Sequence, residues 1–166
     1  PLRGGKGWLY EGGIREPLLI RWPAKLKAGR VIDTPVCSID YFATLKDLAG
    51  SQTNGKIDGV SLRPILEGSG NLPARPLAWH YPHYGNQGGA PGAAIREGDW
   101  KLIHWFEDDR KELYNLHDDL SEQNNLASKE PGRVQSMLTR LQTWQTDVGA
   151  LMPSKNPSFD PSKPNG

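Results

Sequence analysis

Large side chains fill both registers of the segment Trp100 to Phe106: Trp100, Leu102, His104 and Phe106 alternate with Lys101, Ile103 and Trp105. Successive residues of a strand point to opposite faces, so this pattern predicts a strand central in its sheet, with a helix over one face. "LAWHYPHY", "GAAIREG" and "KELYNL" supply its neighbours, three or four strands in all, joined by tight turns at Glu97-Gly98-Asp99 and Glu107 to Arg110. In "PGRVQSMLTRLQTWQTDVG" the period lengthens. Val134, Met137, Leu138, Leu141, Trp144 and Val148 form one stripe of a helix, and Gly149 offers its stop.

The first half of the chain is less regular. Residues 1 to 17 read as a glycine-rich loop, and "LLIRW" (Leu18 to Trp22), closed by Pro23, reads as a short buried strand. Ser38 is placed to cap a helix carrying Ile39, Phe42, Leu45, Leu48 and Ala49, with Gly50 at its end. A turn-rich stretch follows, and a boundary is expected near Leu72 to Pro76. The organisation expected is therefore 1–72, 73–152 and an irregular Pro-, Ser- and Asn-rich tail, 153–166.

Composition narrows the classes. At 166 residues the chain suits one modest domain, and 36% hydrophobic with 23% charged residues reads as globular, made loop-rich by 19 Gly and 14 Pro. A net charge of +1 offers no field for nucleic acid. No run approaches the ~18 apolar residues of a membrane span. The single cysteine, Cys37, excludes an internal disulfide and a cysteine metal cluster, and its apolar neighbours suggest a buried structural thiol. No leader is recognisable, and a chain opening on Pro1 is expected to be a partial or processed product.

Candidate chemistry begins with Lys6 in "RGGKGW". Glycines let backbone amides approach an oxyanion and a lysine adds a mobile cation, so the motif is either an ordinary tight turn or half of a tetrahedral-anion site. The glycine spacing is not that of a Walker loop. His80 and His83 in "WHYPHY", flanked by Trp79, Tyr81 and Tyr84, either line a sugar pocket or belong to an aromatic strand; His80 is placed ahead of His83. Trp8 faces either core or pocket. His104 reads as structural and His117 as solvated. Asp118, Asp119 and Glu122 lack the spacing of a calcium loop, so no metal site is assigned within this chain.

The strings "RGGKGWLYEGGIREP", "LLIRWPAKLKAG", "SIDYFATLKDLAG" and "DGVSLRPILEG" closely resemble the C-terminal part of the sulfatase family, the arylsulfatase and carbohydrate-sulfatase group of the alkaline phosphatase superfamily. "LAWHYPHY", "AIREGDWKLIHWFEDDRKELYNLHDDLSEQNNLA" and "NPSFDP" resemble the small terminal subdomain of enzymes acting on sulfated sugars. The resemblance implies an α/β fold, α+β within this portion: the end of a large alkaline-phosphatase-like α/β domain followed by a small antiparallel sheet with a packed C-terminal helix. It implies that Lys6 binds the sulfate group of a sulfate ester of a carbohydrate, and that a loop of the small subdomain reaches the active-site rim, where His80, His83 and Trp8 are the candidates to face the substrate. Glu11 and Arg15 also match the family's string and are read as holding the Lys6 loop rather than touching substrate.

The family's nucleophile is a formylglycine made from a Cys or Ser in Cys/Ser-x-Pro/Ala-x-Arg, acting beside calcium. "CSIDY" has neither the proline nor the arginine, so Cys37 is not cast in that role. Calcium and formylglycine are expected only in the complete enzyme, whose N-terminal part is the expected partner of this chain. The compartment expected from the resemblance is periplasmic, secreted or lysosomal. Two alternatives stand beside this reading: a non-catalytic sulfated-glycan-binding module, and a phosphodiesterase or phosphonate hydrolase relative.

Overall fold

A computed structural model describes residues 1–51 and 55–158. By contacts the chain separates into two compact units, Pro1–Arg15 with Ala78–Gly166, and Glu16–Leu77.

The first unit is built on a four-stranded sheet in the order β1 (Leu77–Tyr81), β2 (Gly92–Glu97), β3 (Trp100–Trp105), β4 (Lys111–Asn115). Strands β2 and β3 pair antiparallel with Ala94 opposite Ile103, and β3 and β4 with Leu102 opposite Leu113. The strand with two large faces is thus internal, as its pattern requires. Turns fall at the two expected places, where Asp109 takes φ 57°.

Each face of β3 has its own cover. On one side α4 (Pro131–Asp147) lays Met137 and Leu141 on Ala93, Ile95, Leu102 and Leu113, with Trp100, Phe106, Val134, Leu138 and Trp144 at the margin. Met137 and Leu141 are 2% and 0% exposed. Truncating either to alanine costs about 2–5 kcal/mol on the precedent of core truncations. Val148, counted in the stripe, lies beyond the helix and is exposed. On the other side the cover is the N-terminal segment: Leu9 and Tyr10 pack with Ala94, Ile103, Trp105, Tyr114 and Leu116.

The second unit contains α2 (Ile39–Leu48) and α3 (Arg63–Glu67). Helix α2 is where it was expected but presents the other face to its own unit. Asp40, Ala43 and Thr44 are buried, whereas Ile39, Phe42 and Leu45 are exposed. Hydrogen bonds set this orientation. Asp40 accepts from the backbone N–H of Cys37 at 2.8 Å and of Val60 at 3.0 Å, and pairs with Arg75. Thr44 Oγ1 donates to the Asp40 carbonyl and accepts from Leu62 N–H. Ser38 makes no side-chain cap; Asp40 serves the turn instead. Burial alone would raise the Asp40 carboxyl, but the Arg75 and backbone donors bring it below the ordinary carboxylate value.

Leu18–Trp22 forms no strand, which corrects the expectation for "LLIRW". A strand exists only where a neighbour accepts its ladder, and among the described residues none pairs with it; Leu19 is 89% exposed. Cys37 is half-buried rather than fully buried. Among the described residues no helix is long and apolar enough to cross a membrane. "NPSFDP" and the tail beyond 158 fall wholly or partly outside the described residues.

Candidate anion and sugar site

The Lys6 loop is held from below by α1 (Glu11–Ile14), a single helical turn. Residues 3–8 fold back over it: Gly12 N–H donates to the Arg3 carbonyl at 2.9 Å, and Trp8 N–H to that of Gly5 at 3.1 Å. The crossing is so close that a β-carbon on Gly13 would lie 2.0 Å from the Trp8 carbonyl oxygen. The "EGG" of the sequence is therefore a steric requirement of the loop above it.

Beneath that turn lies a chain of buried charges. Lys101 Nζ, from the second residue of β3, is 3.0 Å from Glu11 Oε1 and 2.9 Å from Glu122 Oε1, with all three side chains at most 2% exposed. Glu122 Oε2 also accepts from the Glu11 backbone N–H at 2.6 Å. Arg15 and Arg96 approach Glu11 Oε2 at 3.6 and 3.7 Å. Burial outweighs the attraction of Lys101 and raises the Glu122 carboxyl. Glu11 and Arg15 do hold the loop, as expected; Glu122, read from sequence as part of an acidic turn, is the surprise.

A second set lies alongside. Glu112 accepts from the Tyr10 hydroxyl at 2.9 Å and the Tyr114 hydroxyl at 2.7 Å, and Arg110 Nε lies 3.2 Å away. Arg3 donates to Tyr114 Oη at 2.9 Å and to the Glu122 carbonyl at 2.8 Å, its guanidinium over the Tyr10 ring. Burial, reinforced by the bond to Glu112, drives both phenols well above the ordinary tyrosine value.

Against this braced background Lys6 is exposed and makes no hydrogen bond or ion pair with any described residue. Trp8 is half-buried, its ring stacked on Tyr10 at 5.9 Å and edge-on to Trp105 at 6.3 Å. A second glycine loop, 85–89, lies directly on the first: a β-carbon on Gly89 would fall 2.1 Å from the Gly7 carbonyl oxygen, and one on Gly88 would strike the Trp8 indole. Sequence reasoning passed over this loop, although "GNQGGA" carries the adjacent glycines that signal a close backbone approach.

The two histidines of "WHYPHY" part company. Gln145 Nε2 donates to His80 Nδ1 at 3.1 Å and His80 Nε2 donates to the Leu151 carbonyl at 2.9 Å, a pairing that the neutral Nε2–H tautomer satisfies. Both nitrogens of the favoured candidate are thus engaged within the chain. His83 is exposed, makes no hydrogen bond to a described residue and meets Tyr81 edge-on at 5.5 Å. His104 pairs with Asp109 at 2.8 Å beside Phe106, and exposed His117 with Asp118 at 2.8 Å. Among the described residues no group of three or more His, Cys, Asp or Glu is placed to hold a metal ion.

The family profile described as N-sulphoglucosamine sulphohydrolase, C-terminal, matches residues 5–147. The chain belongs to the sulfatase family. This sulfatase chain is 33% identical over 161 residues to a sulfatase of Formosa agariphila, covering 87% of the chain and 29% of that protein. It is 35% identical over 136 residues to an N-acetylglucosamine-6-O-sulfatase of Bacteroides thetaiotaomicron, covering 76% of the chain and 24% of the relative. The crystal structure of Ps i-CgsB in complex with k-i-k-neocarrahexaose superposes with a TM-score of 0.74 at 26% identity, covering 98% of the chain and 35% of that structure. The sulfatase chain therefore spans about a quarter to a third of the length of these relatives, and its sheet with packed helix is a sulfatase C-terminal architecture.

Proposed function

We propose that this chain supplies the sulfate-binding lysine and the substrate-facing subdomain of an enzyme that hydrolyses sulfate esters of a carbohydrate. One observation carries the reading: Lys6 is an exposed cation with no ion pair or hydrogen bond to any described residue, on a loop whose neighbours Arg3, Glu11 and Arg15 all have partners. A lysine so presented can offset charge on a sulfate group as its ester bond breaks, without first breaking a pairing of its own. His83 and Trp8 are proposed to face the sugar. His80 would first have to leave Gln145 and Leu151.

Residues 16–77 are read as the end of a larger α/β domain. The exposed Leu18, Leu19, Ile20, Ile39, Phe42 and Leu45 support this, because the N-terminal part of the enzyme would cover such a surface. Calcium and formylglycine belong to the proposal for the complete enzyme. The donors described here do not fit a calcium site and Cys37 lacks the conversion motif, so no step of this chain is routed through either.

The test is hydrolysis by the complete enzyme carrying this chain, with matched sulfate and phosphate esters. Lys6→Ala is expected to lower kcat/KM for the sulfate ester by about 10²-fold without a change in melting temperature. Preference for the phosphate ester, or full activity of Lys6→Ala, would count against the reading.

A further inference from the structure

The loop 85–89 has a place in the fold that the sulfate lysine alone does not explain. It is seated on the Gly7 backbone and against the Trp8 indole: Gly7, Gly88 and Gly89 have φ of 98°, 93° and 82°, and a β-carbon on Gly7 would meet the Gly88 carbonyl oxygen at 3.3 Å and the Gln87 β-carbon at 3.5 Å. Gln87 is thereby anchored over the residue that follows Lys6. Its side chain is exposed and makes no hydrogen bond to any described residue. The loop has no charged residue, and its other end lies beside Tyr81, whose hydroxyl is 3.7 Å from the β position of Gly85.

A primary amide presents two donors and one acceptor without net charge, which matches a sugar hydroxyl better than it matches the sulfate itself. We propose that Gln87 is a specificity-determining residue that reads a hydroxyl of the sulfated sugar next to the sulfate held by Lys6. The inference rests on the sulfatase reading above and adds to it a second recognition element, on a different loop and of different chemistry. Backbone seating fixes the distance from Gln87 to the lysine loop, so the pair forms a ruler between a sulfate and its neighbouring hydroxyl.

The experiment uses the complete enzyme, as wild type and Gln87→Ala, with a panel of sulfated monosaccharides, deoxy analogues of the preferred one, and a small aryl sulfate. Gln87→Ala is expected to lower kcat/KM for the preferred sugar about tenfold, the worth of a hydrogen bond or two. It should lose no more than twofold on the aryl sulfate and on one deoxy analogue, with melting temperature unchanged. Equal losses on sugar and aryl sulfate, no loss on the sugar, or the same loss on every deoxy analogue would overturn the assignment. A wild-type enzyme that cleaves aryl sulfates but none of the sugars overturns it too. Wild-type inactivity toward every sulfate ester refutes the sulfatase reading itself, and is seen before any variant is made.

Discussion

Lys101 and Glu11, ninety residues apart, form an ion pair of 3.0 Å in which the lysine is 0% and the glutamate 2% exposed. It joins the start of β3 to the turn that carries the Lys6 loop, and Glu122 is the second carboxylate on the ammonium, at 2.9 Å. Buried charges of this kind fix a geometry more than they add stability, and removing one partner strands the others. Lys101→Met is expected to destabilise the protein by about 3–5 kcal/mol. Replacing Glu11 and Glu122 together with Gln in the same background should recover much of that, because no uncompensated carboxylate remains. Urea unfolding of the three proteins checks both statements.

The same cluster has a pH signature. Glu122 holds its proton more tightly folded than unfolded, since its pKa is raised from the ordinary 4.5. Above that value the folded state keeps more of this proton than the unfolded state does, so this group's contribution to stability falls as pH rises and levels off once both states are ionised. Glu122→Gln should flatten that fall, measured as the difference in urea midpoint between the two proteins across the acid range.

Asp40 runs the other way. Its folded pKa is below the ordinary 3.8, so its stabilisation is present above that value and is lost as pH falls through the folded one. Asp40→Asn should cost about 1–3 kcal/mol near neutrality, a gap that closes in strong acid.

Tyr10 and Tyr114 should resist ionisation as long as the protein stays folded. Ultraviolet titration is expected to show two phenols that ionise only as the fold gives way. A phenol raised in the folded state penalises it at high pH, so stability declines as pH passes the unfolded tyrosine value. Tyr114→Phe should leave one silent phenol instead of two.

Gly89→Ala sets a β-carbon 2.1 Å from the Gly7 carbonyl oxygen, whereas Gly98→Ala, in a hairpin of similar handedness, meets no atom within 4 Å. Both incur the cost of a left-handed backbone, on the order of 1 kcal/mol. Only Gly89→Ala should speed amide hydrogen exchange at Gly7 and Trp8, because only it lifts the second loop off the first.

The sheet, its turns and α4 were legible because each rests on a local period: two for β3, and near four for Met137 and Leu141. Helix α2 was legible as a helix but not in its orientation, which hangs on hydrogen bonds that Asp40 draws from Val60 and Arg75 far along the chain. Lys6 stood out by its glycines. Lys101 and Glu122 did not, since a lysine in a strand and a glutamate in an acidic turn look solvated until Glu11, far back along the chain, is placed beside them. His80 shows the converse: its sequence neighbourhood suggested a ligand site, and Gln145 and Leu151 occupy its nitrogens.

The N-terminal fifteen residues are a wall of the sheet's core rather than a leader to it, for Leu9 and Tyr10 close one face of β3 while α4 closes the other. Specificity in such an enzyme cannot be transplanted by exchanging 78–158 alone. The graft would set Trp105 and Lys101 against the other parent's N-terminal segment rather than the Leu9, Tyr10 and Glu11 they pack with here. A well-packed chimera takes both ends of the chain from one parent, and with them Lys6, so the residue proposed to bind the anion and the surface proposed to read the sugar are inherited as one piece.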